Sequence, residues 1–236
     1  METNLRQLDA AASTFRIHRY PASLIDRLTL DDGRSVLVRP VLPQDAALQQ
    51  QFVRDLSPTS RYRRFHGPLR ELPAGTLDYL TQVDYRAHLA LLAETFDEHG
   101  EEVQVAEVRY VRRTADDDDA EAEAHTDAGV ADFAIAVADA WQGRGLGGRL
   151  LEVLVRSARD AGVRRLEGSV LADNEPMRGL MRARGFRLRR DPADAHLVIA
   201  WLDLDSAVAA PETYAALHPT TRRASAAGAS FGAASC

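Results

Sequence analysis

The residues best suited to chemistry in this 236-residue chain are Gln142-Gly143-Arg144-Gly145-Leu146-Gly147-Gly148. They join a β-rich run, Gly129–Val137 (GVADFAIAV), to a segment with helical period, Gly145–Ala161, in which Leu146, Leu150, Leu151, Leu154, Val155 and Ala158 share one face and Gly162 marks the stop. At a strand-to-helix junction of this kind, successive backbone N–H groups open outward at a helix N-terminus and hold phosphate oxygens without a cationic side chain. Glycines let the phosphates approach the main chain closely. Gly143, Gly145 and Gly148 also fit the G-x-G-x-x-G spacing of dinucleotide sites. That fingerprint belongs directly after the first strand of a βαβ unit. Here the glycines come past mid-chain, several residues beyond Val137, after strands that read as antiparallel. Glu167 lies about the right distance on, but inside a strand, so the context does not fit a dinucleotide.

Composition removes several other chemistries. All 29 residues counted as Lys or Arg are arginine. Arginine does not deprotonate in proteins, so no side-chain amine is available for a Schiff base or as a general base, which excludes pyridoxal enzymes and lysine-dependent P-loop NTPases. The single cysteine is the last residue, Cys236, which rules out an intrachain disulfide and a cysteine zinc site and makes a poor nucleophile. His66 and His88 stand isolated, so no metal is expected. The net charge of −6 argues against a nucleic-acid partner. The chain shows no apolar run of membrane-spanning length and no basic-then-apolar start, so no membrane partner is expected and the localisation reads as cytoplasmic.

The remaining elements alternate in type. Asp31-Asp32-Gly33 is a turn followed by the strand Ser35–Arg39, and Pro43–Leu56, a short segment capped by Ser57, and Pro73–Leu80 read as helices. His88–Glu94 and Val103–Arg112 are strands, the second alternating Val103, Val105, Glu107 and Arg109 against Gln104, Ala106, Val108 and Tyr110. Arg165–Leu171 is a strand, Asp173 or Asn174 caps a helix through Arg184, and Phe186–Arg190 with Leu197–Leu202 closes as a hairpin. The expected organisation is a flexible arm over 1–19, one folded domain over 20–205 with an acidic solvated loop at 114–128, and a low-complexity disordered tail over 206–236.

Gln142-x-x-Gly145-x-Gly147 resembles the R/Q-x-x-G-x-G/A signature of the GNAT N-acetyltransferase superfamily. The strand Phe133–Val137 lies upstream and Asn174-x-x-Met177-x-x-Leu180-x-x-x-x-Gly185-Phe186 downstream, where that family places its second cofactor segment. In the N-terminal half, Tyr20-Pro21, Leu28-x-Leu30-x-Asp32-Gly33, Val38-Arg39-Pro40, Leu56-Ser57-Pro58-x-Ser60-Arg61-Tyr62-x-Arg64-Phe65 and Thr81-Gln82-Val83-Asp84-Tyr85 are similar to bacterial protein-lysine acetyltransferases. In those proteins the GNAT domain often follows a large acyl-CoA-synthetase-like domain, and this chain resembles a stand-alone relative. The resemblance covers about residues 20–202 and implies an α+β GNAT acyltransferase fold, a mixed, mostly antiparallel twisted sheet of about six to seven strands flanked by helices.

It also implies a reaction: an acetyl group passes from acetyl-CoA, as co-substrate, to an amine by direct attack, without an acyl-enzyme. The implied acceptor is the lysine side chain of a protein, acyl-CoA synthetases among them. A small-molecule amine acetyltransferase and a non-catalytic acyl-CoA-binding module are the alternatives. By the family pattern, Gln142, Gly143, Arg144, Gly145, Leu146, Gly147 and Gly148 hold the pyrophosphate, Ile135, Ala136 and Val137 pair with the pantetheine arm, an N–H near Val137 polarises the thioester oxygen, and Asn174 bonds the arm. A lysine ammonium, pKa about 10.4, must lose a proton before it attacks. Related enzymes place a glutamate where this chain has Asp132, and Glu107 is the second candidate base. Many GNAT enzymes have a tyrosine where this chain has Met181, which is expected to pack rather than to protonate the leaving thiolate.

Overall fold

The computed structural model of the chain describes residues 19–113 and 129–204. The acidic loop, the tail with Cys236 and all but Arg19 of the N-terminal arm lie outside the described residues. The described residues belong to the unit Met1–Asp205.

Eight strands form one sheet in the order β1-β2-β3-β4-β5-β6-β8-β7. The strands are β1 (Asp26–Thr29), β2 (Ser35–Pro40), β3 (His88–Phe96), β4 (Glu102–Arg112), β5 (Val130–Val137), β6 (Arg165–Leu171), β7 (Arg187–Arg190) and β8 (Leu197–Asp203). Three helices, α1 (Ala46–Asp55), α2 (Pro58–Phe65) and α3 (Ala74–Thr81), separate β2 from β3, α4 (Leu146–Asp160) links β5 to β6, and α5 (Glu175–Ala183) links β6 to β7. The sheet has one strand more than the sequence pattern suggests. In β1 only Leu28 is buried, and a single inward residue leaves no period to read.

The α4 leucines pack one sheet face as expected: Leu150, Leu151 and Leu154 are fully buried against Val108, Ala131, Ile135 and Leu166. On the other face, Phe52, Val53, Leu56 and Leu80 of α1–α3 form a second cluster with Ala136 of β5.

Two irregularities in the sheet position the site. The first is a β-bulge: Ala93 pairs with Ala106 and Glu94 with Gln104, so Val105 is an extra residue in β4. The simple alternation therefore breaks. Val105 joins Ala106, Val108 and Tyr110 in the α4-side core, while Gln104 bonds Gln49 on the α1 side, where Glu107 also lies. The second is that β5 and β6, the one parallel pair, match only over Val130–Asp132 and Arg165–Glu167. Beyond that point the two strands diverge. Gly168 abuts Phe133 at the fork, where an added Cβ would stand 2.9 Å from the Phe133 carbonyl oxygen.

Truncating the α4 face should expose how far the sheet depends on it. Leu154→Ala is expected to cost about 2–5 kcal/mol, from lost transfer energy plus a residual cavity, read as a fall in the urea midpoint with unchanged slope.

Candidate functional site

The divergence of β5 and β6 opens a cleft of about 330 Å³. Main-chain directions along β5 follow from its bonds to β4. The Ala138 N–H donates to Val105 and the Arg113 N–H donates to the Val130 carbonyl, so even-numbered residues of β5 face β4. Phe133, Ile135 and Val137 therefore turn their N–H and C=O groups toward β6; the match of Asp132 with Glu167 occupies the Phe133 N–H, and the N–H groups of Ile135 and Val137 lie beyond the last paired residue. The Val137 carbonyl accepts from Gln142 Nε2 at 2.9 Å.

At the lower end of the cleft Gly145 is the N-cap of α4, with φ +82° and no side-chain cap. A residue with a Cβ is strained there. The first N–H groups of α4 have no intrahelical acceptor and no capping side chain, which leaves a bare positive helix end. Gly147 forms part of the floor, where a Cβ would meet Leu180, Val137 and Ile135 at 3.4–3.7 Å. The loop is clamped from behind by the β1–β2 turn. Asp32 accepts from Arg144 Nη1 at 2.5 Å and from Arg34 Nε at 2.8 Å, and Arg34 also stacks over Trp141 at 4.3 Å.

Of the expected cofactor residues, Ile135, Ala136, Val137, Gln142, Gly143, Gly145, Gly147, Gly148 and Asn174 line this one cleft. Arg144 and Leu146 do not: the guanidinium is held by Asp32 and the Ala140 carbonyl, and Leu146 is buried in the core. Asn174 caps α5, its Oδ1 accepting from the Met177 N–H at 3.3 Å. Met181 is fully buried in the main core. Ser60, Arg63 and Arg64 of α2 also line the cleft; the sequence favoured a solvated face for the arginines of the 61–64 segment and did not mark Ser60.

The two candidate carboxylates sit differently, and neither is among the lining residues. Asp132 lies at the fork, exposed, with both oxygens bonded to Arg113 at 2.7 and 3.1 Å; Arg113 also bonds Glu167 at 2.9 Å. Glu107 is 1% exposed and accepts from Arg64 Nε at 2.9 Å, Arg109 Nη2 at 2.7 Å and Gln49 Nε2 at 3.0 Å. Burial alone would raise its carboxyl, but the charges and hydrogen bonds of Arg109 and Arg64 hold it at about 2. Arg109 further donates to the Leu80 carbonyl and contacts His88 Nε2 at 3.2 Å. Burial, then the Arg109 charge, pushes His88 down to about 4, so the ring is neutral and accepts that bond. One buried network thus ties α1, α2, α3, β3 and β4 together.

An acetyltransferase of Pseudomonas aeruginosa is 36% identical to this chain over 176 residues, 75% of this chain and 88% of its own length. The chain belongs to the GNAT acetyltransferase family. The acetyltransferase (GNAT) family pattern itself matches residues 86–186, which span β3 to α5 and hold the whole glycine turn. The acetyltransferase Pat of Mycolicibacterium smegmatis is 34% identical over 149 residues, 63% of this chain and 40% of Pat. The crystal structure of the GNAT domain of S. lividans PAT superposes with a TM-score of 0.68 at 32% identity, covering 79% of this chain and 100% of that one. As a GNAT acetyltransferase the protein is an acyltransferase that uses acetyl-CoA. Among the described residues no helix is long and apolar enough to cross a membrane, and no His/Cys/Asp/Glu group is placed to hold a metal ion.

The buried network makes a signed statement about pH. The His88 value in the folded protein, about 4, lies below its ordinary 6.5, so its contribution is complete above pH 6.5 and is lost as pH falls toward 4. Glu107, also depressed, adds a second loss as pH falls from its ordinary 4.5 toward about 2. Urea titrations across pH should show the first loss, about 3 kcal/mol at most, between pH 6.5 and 4. His88→Gln, which keeps an acceptor for Arg109 but cannot titrate, should flatten that limb; an unchanged limb would refute the assignment.

Proposed function

We propose that this GNAT enzyme is a protein-lysine acetyltransferase, moving the acetyl group of acetyl-CoA to a lysine side chain by direct attack in a ternary complex. The observation that carries the reading is the fork itself. Its wall offers the N–H groups of Ile135 and Val137, two residues apart, ending on the bare N-terminus of α4. A pantetheine arm carries amides and a pyrophosphate, and this sequence of donors matches it: phosphates on the N–H groups around Gly145–Gly148, arm amides along β5, and an N–H of the same series for the thioester oxygen. Asn174 stands across the cleft with its side-chain amide for the arm. Similarity to Pat and to the GNAT domain of S. lividans PAT supports a protein acceptor.

In the attack, the amine nitrogen bonds the thioester carbon while the C–S bond breaks. Charge gathering on the carbonyl oxygen meets a preorganised β5 N–H. The ammonium proton goes to Asp132, directly or through water, and Asp132 is oriented for this by Arg113. Glu107 has no spare capacity for the task, since three donors and a lowered pKa keep it ionised and buried; its part is to hold Arg64. Met181 has no proton to give, so the second proton of the attacking nitrogen, released as the C–S bond breaks, reaches the departing thiolate through water.

Acetyl-lysine mass spectrometry of a lysate incubated with acetyl-CoA tests the proposal. Wild type should add acetyl groups to protein lysines, and Asp132→Ala should slow this by about 10² or more, the usual size of a general-base contribution. Undiminished rates in Asp132→Ala would remove the base assignment. Acetylation confined to small amines would remove the protein acceptor, and thioester binding without coenzyme A release on any acceptor would leave a binding module.

A further inference from the structure

We infer that the acyl end of the cleft holds a carboxylate subsite made by Arg63 and Arg64, so that the enzyme also transfers short dicarboxylic acyl groups of the succinyl type from their coenzyme A thioesters. The inference rests on the proposed function and adds the donor class.

Position comes first. α2 runs beside β5. At one end the Ser60 hydroxyl accepts from Gln142 Nε2 at 3.2 Å and donates to Asp139 at 2.7 Å, next to the glycine turn. One helical turn further on, Arg64 bonds Glu107, whose partner across the sheet is Ala136. Arg63 and Arg64 therefore line the cleft one turn beyond the phosphate cradle, at the level of mid-β5. An arm laid along β5 from the α4 terminus brings its thioester to that level. Ala134 and Ala136 line the cleft on the same side, and their small side chains leave room beneath the guanidiniums.

Charge comes second. Glu107 is shared by Arg64 and Arg109, whose side chains are 12% and 4% exposed, so the buried trio keeps one positive charge in excess. His88 beside it is neutral. Arg63 lines the cleft with no carboxylate partner among the described residues. The nearby acid, Asp139, has its oxygens taken by the Ser57 amide and the Ser57 and Ser60 hydroxyls. Unbalanced charge in a half-buried wall is unfavourable and is relieved by an anion. Acetyl supplies none, and the coenzyme phosphates are drawn to the other end. A carboxylate two methylenes beyond the thioester carbonyl meets the guanidinium forks in their preferred geometry and also blunts their repulsion of the incoming ammonium. The reaction is otherwise unchanged: C–N forms, C–S breaks, the nitrogen gives up one proton to Asp132 and a second, through water, to the departing thiolate, and the far carboxylate passes intact to the product.

The test is calorimetric binding of succinyl-CoA, butyryl-CoA and acetyl-CoA to the full chain and to Arg63→Gln, with succinyl-lysine mass spectrometry of a treated lysate. Butyryl-CoA matches the four-carbon length without the charge. Wild type should bind succinyl-CoA at least tenfold more tightly than butyryl-CoA and form succinyl-lysine, and Arg63→Gln should bring that ratio toward one. Equal binding of the two by wild type overturns the inference while acetyl transfer stands. Equal weakening of all three thioesters in Arg63→Gln overturns it by assigning Arg63 to the coenzyme phosphates, and an unchanged ratio overturns it by placing the guanidinium on the acceptor. Failure of wild type to bind any thioester instead removes the proposed function beneath it.

Discussion

The parallel pairing of β5 with β6 stops after Asp132 and Glu167, and the site depends on that stop. Unpaired strand N–H groups are costly when buried and attract partners when open. Here they open into a cleft beside a helix terminus whose own N–H groups are equally free. The strand can stay unpaired because its other edge is fully bonded to β4 from Arg112 to Ala106 and its α4-side face is anchored by Phe133 and Ile135. Rigidity on one edge makes availability on the other possible.

What keeps the second wall of the cleft in place is polar. Glu107 lies under α2 as the common acceptor for Gln49, Arg64 and Arg109, and Arg61 on the same helix donates to the carbonyls of Val53 and Arg54 at the end of α1. Removing one member of such a buried set leaves the others uncompensated, typically a loss of several kcal/mol. The network therefore fixes where Ser60, Arg63 and Arg64 stand relative to β5. Its charge imbalance gives the acyl end of the cleft a chemical character different from the neutral main-chain donors of the opposite wall.

Much of this was legible in the sequence because the cradle's requirements are local. A strand, a turn with glycines at positive φ and an amphipathic helix are contiguous from Val130 to Asp160, and of the two caps the sequence offered, Asp173 and Asn174, the structure uses Asn174. The parts that were not legible are long-range. Arg64 finds Glu107 over a separation of 43 residues and Gln49 finds it over 58, so residue types and spacing gave no sign of the pairing. Arg144 falls inside the signature yet turns back to Asp32, which is 112 residues away. The bulge at Val105 has no marker such as glycine, and it alone puts Gln104 on the side opposite to its expected neighbours Ala106, Val108 and Tyr110. β1 is too short to show a period.

Hydrogen exchange resolved to single amides, with and without saturating acetyl-CoA, addresses the central claim most directly. The N–H groups of Ile135 and Val137, with those of Leu146, Gly147 and Gly148, are expected to exchange more slowly when the thioester is bound. Ala134 and Ala136, already bonded to β4, should change little. Saturated binding that leaves those first five amides exchanging as before would contradict the account.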